Sequence, residues 1–101
     1  MAEEKKEVPK GADFTLIVPL DRKKTNSATF HIKELTEDVY LAAMSLIDKD
    51  KDLDATRLII KSLHVGGDDP SLLNNNLIAS LAARKLVREI MAPLDGELKK
   101  N

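Results

Sequence analysis

Residues 13–38 run Asp13-Phe-Thr-Leu-Ile-Val-Pro-Leu20, Asp21-Arg-Lys-Lys-Thr-Asn-Ser27, Ala28-Thr-Phe-His-Ile-Lys33 and Glu34-Leu-Thr-Glu-Asp38. The first segment is rich in β-branched and aromatic residues and too short for a helix. It reads as a strand with Phe14, Leu16 and Val18 on one face, ended or held at an edge by Pro19, which cannot donate to a ladder. The polar run 21–27 has nothing to bury and reads as a loop. Ala28, Phe30 and Ile32 then alternate with Thr29, His31 and Lys33, so the two strands predict a β-hairpin with one apolar and one wet face. A lone hairpin is marginal in water, so the apolar face must lie on helices.

Leu35-Thr-Glu-Asp38 predicts the start of the first of them. Thr36 is placed to cap, two acids sit in the first turn where the helix dipole favours them, and Leu35 can staple to Tyr40. This helix runs to about Ile47, with Tyr40, Ala43, Met44 and Ile47 on its stripe. After the charged connection Asp48-Lys-Asp-Lys-Asp52, a second helix covers about Leu53 to Val65. Ala55, Leu58, Ile59 and Leu63 face inward, and Asp54, Arg57, Lys61 and His64 form a solvated face. Gly66-Gly67 stops it, since glycine takes the left-handed terminal position without penalty. Asp68-Asp-Pro70 starts the last helix with acids and a proline at the first turn. It extends to about Met91, with a break or recapping expected near Asn74-Asn-Asn76, and Pro93 stops it.

Working outward, the 101 residues fit one domain, expected over residues 12–98. The polar stretch 1–11 is expected as a disordered N-terminal arm and 99–101 as a polar tail. The predicted fold class is α+β: an N-terminal β-hairpin packed on a three-helix, mainly α-helical domain. Aromatics are only 3% of the chain, so the core must be aliphatic.

Composition also bounds function. Sixteen basic against 17 acidic residues leave a net charge of −1, without the basic excess that nucleic-acid binding uses. With so few aromatics there is no stacking platform for single strands either. The absence of cysteine removes disulfides, thiolate zinc sites and a cysteine nucleophile. No apolar run approaches the ~18 residues of a membrane span, and Met1-Ala-Glu-Glu-Lys-Lys-Glu7 is too polar for a secretory signal. The expected location is the cytoplasm.

Candidate chemical motifs fare poorly. Asp48, Asp50 and Asp52 hold the first, third and fifth positions of a calcium loop. Its glycine position, however, is Leu53 and its bidentate glutamate position is Ile59. His31 and His64 fall on the polar faces of separate elements and read as exposed. Gly66-Gly67 is followed by two acids and a proline rather than by lysine, so the helix start is already occupied where an anion would sit. No spacing of Ser, His and Asp indicates a triad. An enzyme is not expected, nor a metal or cofactor.

The last helix is the most informative element. Ala79, Ala82, Ala83, Leu86 and Ile90 form one apolar sector suited to close packing. Leu73, Leu77 and Leu81 form a second stripe beside Arg84, Lys85 and Arg88, with Met91 near its end. Either the hairpin covers this stripe within one molecule, or it binds another chain; leucines rimmed by arginines match the composition of binding patches.

The succession FTLIVPL…ATFHIKEL, TEDVYLAAM, SLHVGGDD and IMAPLDGELKKN resembles the small tail assembly chaperones of long-tailed bacteriophages and prophages, over roughly residues 13–101. The resemblance rests on element order and turn placement. It implies a non-enzymatic protein, often self-associating and without cofactor, that binds the helical tape-measure protein while the tail tube polymerises. The partner-binding residues it points to are Leu73, Leu77, Leu81 and Met91, with Arg84 and Arg88 as rim, taking an amphipathic partner helix in a groove. In that family the gene often ends near a slippery site, and Lys99-Lys100-Asn101 is compatible with one. The alternative reading is a small structural phage protein or homo-oligomeric adaptor whose second stripe joins identical copies.

Overall fold

A computed structural model describes residues 8–94. The fold is α+β. Strands β1 (Phe14–Pro19) and β2 (Ser27–Ile32) are followed by helices α1 (Glu37–Ile47) and α2 (Asp52–Leu63). A short strand β3 (His64–Gly67), a 3-10 turn (Pro70–Leu73) and helix α3 (Leu77–Met91) complete the chain. The sheet is antiparallel in the order β1-β2-β3. The β1/β2 register pairs Phe14 with Ile32 and Pro19 with Ser27. It turns Leu16, Val18, Ala28, Phe30 and Ile32 to the buried side, as period-two alternation requires.

The expected hairpin is therefore two strands of a three-stranded sheet. The double glycine does more than end a helix. Residues 64–67 extend at once after Leu63 and pair with β2, with a register irregularity between His31 and Ile32. Gly67 sits at φ 91° against the Thr29 backbone, a position and a distance that exclude a side chain. Asp68 locks this end, its backbone N–H donating to Thr29 O (2.7 Å) and its carboxylate accepting from Thr29 N–H (2.8 Å). The third strand also changes the fate of His31. It is buried on the outer face, not exposed as expected, and its Nδ1 lies 2.9 Å from Thr15 Oγ1.

The core joins the inner sheet face to Ala55, Ile59, Ile60 and Leu63 of α2 and to Ala79, Ala83 and Val87 of α3. The alanines let α3 approach closely. Of the arm expected over 1–11, only 8–11 fall within the described residues. There Ala12 N–H donates to Pro9 O (3.2 Å), and Pro9 seats against Gly66 where a Cβ would stand. The tail expected at 99–101 lies outside the described residues. No described helix is long and apolar enough to cross a membrane.

Local capping differs from expectation in instructive ways. Thr36 occupies the N-cap position of α1 but its hydroxyl donates to the Asp38 carboxylate instead of accepting from the backbone. That bond, with the Val39 N–H, holds the Asp38 carboxyl below its usual range. Leu35 packs against the core cluster. At the other end, Lys51 N–H donates to Leu46 O (2.9 Å) and Asp50 N–H to Ile47 O (2.9 Å), a Schellman closure with Asp50 at φ 61° where glycine is usual. Asp50→Gly should therefore raise unfolding free energy by about 1 kcal/mol, the cost of a left-handed non-glycine residue, read as an upward shift of the urea midpoint at unchanged slope.

Candidate functional site

The asparagine run divides the last helix. Asn76 takes the N-cap of α3, its Oδ1 accepting from Ala79 N–H (3.0 Å) while its Nδ2 donates to Leu20 O (3.2 Å). Upstream, Asp69 caps the 3-10 turn by accepting from Ser71 N–H (2.9 Å), and this bond holds its carboxyl below the usual range. Asn75 crosses between the two at φ 56°. Residues 70–76 therefore do not continue the periodicity of 77–91.

That break separates the leucines expected to share one stripe. Leu73 is 0% exposed, a core residue behind the 3-10 turn, and is not available to a partner. Its carbonyl accepts from Ser80 Oγ (3.0 Å) and Arg57 Nε (3.3 Å), and Arg57 Nε also reaches Ser80 Oγ (3.1 Å). This node ties α2 to α3 and satisfies the fully buried Ser80. It corrects the reading of Arg57 as part of a solvated face. The guanidinium is half-buried, its other arm pairing with Asp54 at 3.0 Å.

The rest of the expected stripe faces out. Leu77 is 61% exposed and Leu81 40%. Projected at about 100° per residue, these two share an arc with Arg84, Lys85 and Arg88. Arg84 is half-buried, Arg88 is exposed, and Met91 is half-buried against the core. Arg88 Nη2 lies 3.9 Å from Asp52 Oδ2, an exposed pair that holds it only loosely.

A second apolar surface, on α1, escaped the stripe reading. The helix packs chiefly on α2. Only Ala43 is buried; Val39 and Leu46 are half-buried against the core. Tyr40 (39% exposed), Leu41 (57%) and Ile47 (36%) are turned outward beside half-buried Met44. Tyr40 and Ile47 were expected inside. The inward stripe is rotated toward Val39, Ala43 and Leu46 because those residues lie over α2. The available signal was that residues 39–47 are apolar nearly all round, more than one neighbouring helix can cover.

Open grooves of about 560 and 590 Å³ flank α2. Asp50, Asp52 and Asp54 share the first with Lys51, Arg57 and Arg84. Such mixed charge forms no field of one sign that would select a charged substrate. His64, in the second, has Nε2 2.9 Å from Asp68 O. Among the described residues no group of three or more His, Asp or Glu could hold a metal ion. The arrangement offers contact surfaces rather than a set of convergent reactive groups. No known protein family, characterised protein or solved structure matches the chain.

Proposed function

We propose that this protein is a non-enzymatic binding protein that holds an amphipathic helix of another chain, acting as a phage or prophage tail assembly chaperone for the tape-measure protein. The observation that carries the reading is the start of α3. Leu77 and Leu81 stand exposed beside Arg84 and Arg88, an apolar strip with a cationic rim of the kind that seats an amphipathic helix. Leu73 belongs to the core beneath this strip, and Met91 borders it from the core side. A long, leucine-rich tape-measure helix without its tube needs such a surface to stay in solution. Its binding calls for no cofactor.

The test is co-expression with the tape-measure protein of the same genome, followed by co-purification. A complex is expected with the wild type and should be lost with Leu77→Asp/Leu81→Asp, whose thermal unfolding stays unchanged because both side chains are already in water. Failure of the wild type to co-purify would refute the reading. A second reading, a homo-oligomeric adaptor, is favoured by one separate observation: the outward Tyr40, Leu41 and Ile47 of α1.

A further inference from the structure

The two exposed apolar surfaces carry opposite charge. Between residues 34 and 48 the chain has four acids, Glu34, Glu37, Asp38 and Asp48, and no lysine or arginine. At about 100° per residue, Glu37 and Asp48 project into the same outward arc as Leu41 and Met44, one at each end of α1. On α3 the arc holding Leu77 and Leu81 contains Arg84, Lys85 and Arg88 and no acid. Each surface is an apolar strip along one helix. The acidic one lies on α1, which rests chiefly on α2, and the basic one on α3, which packs on α2 and β1.

We infer that α1 of one copy docks on the start of α3 of a second copy, in a head-to-tail arrangement. This inference rests on the self-associating reading above and specifies its geometry. Burying Leu41 and Tyr40 against Leu77 and Leu81 removes apolar area from water on both sides. Glu37 and Asp48 then face the arginine rim, and the charges set the pairing. Either face against itself would oppose like charges, which disfavours a two-fold dimer. Because the joined surfaces differ, every copy keeps one free α1 and one free α3, so assembly continues into a ring or an open chain. The same α3 strip is the one assigned above to the partner helix, so a partner helix and a second copy compete for it.

Sedimentation velocity over a concentration series, using the whole chain, tests this directly. The wild type should grow beyond a dimer as concentration rises, and high salt should weaken the association. Leu41→Asp blocks α1 and Leu77→Asp blocks α3, and each variant alone should sediment as a monomer. Mixed in equal amounts they should form a dimer that grows no further, since one intact α1 meets one intact α3 and both remaining faces are blocked. Arg88→Glu, which keeps every leucine, should weaken the wild-type association by itself. Circular dichroism melts matching the wild type confirm that each variant is folded. A wild type that stays monomeric at all concentrations overturns the inference, together with the self-associating reading. A wild-type oligomer whose two blocked variants fail to pair on mixing overturns the head-to-tail geometry alone.

Discussion

Leu73→Ala should lower the unfolding free energy by about 2–5 kcal/mol, the range for truncating a buried leucine, whereas Leu77→Ala should change it by no more than about 0.5 kcal/mol. The two residues are four apart and chemically identical. Leu73 is sealed behind the 3-10 turn, while Leu77 stands in solvent on the first turn of α3. Truncating Leu73 removes contacts in the core and loosens the turn whose carbonyl holds Ser80 and Arg57. Urea denaturation followed by circular dichroism measures both. Equal losses for the two variants would mean that residues 70–81 form one continuous helix with a common buried face. The contrast also separates fold from binding: a Leu73 variant that loses a partner does so by unfolding, and a Leu77 variant does so at the surface.

Gly67→Ala should cost about 1–3 kcal/mol from its left-handed backbone alone, and more from the collision of the new Cβ with the Thr29 carbonyl. That oxygen is fixed, because it accepts the Asp68 N–H at 2.7 Å. Relief requires β3 to move off β2, so amide exchange at Asp68 should accelerate with the loss of stability. Gly66→Ala meets a different neighbour, the Pro9 ring in the segment leading into β1. Displacing that segment costs less than displacing a paired strand, so Gly66→Ala should be the milder variant. Equal tolerance of alanine at both positions would contradict the pairing of β3 with β2.

Much of the architecture was legible along the chain. The alternation of Leu16, Val18, Ala28, Phe30 and Ile32 gave the inner sheet face, and the acids of Glu37-Asp38 and the asparagines before Leu77 marked helix starts. The alanine sector of α3 was readable as its packing face. The third strand was hidden because four residues with two glycines carry no hydrophobic period. Their pairing depends on β2, more than thirty residues earlier. His31 was read as exposed for the same reason, since a sheet's wet face stays wet only where nothing crosses it.

The exposed strips mark the boundary between these two kinds of information. Local sequence set which residues are apolar, where helices begin and end, and that residues 73–91 hold more apolar surface than one contact can cover. It could not say which leucine goes inside. That depended on the 3-10 turn swinging Leu73 beneath α3, and on α1 having chiefly α2 for a neighbour. Periodicity is a property of one helix, whereas burial is a property of two surfaces meeting; for Leu73, Leu77, Tyr40 and Leu41 the second surface is fixed only by the folded chain.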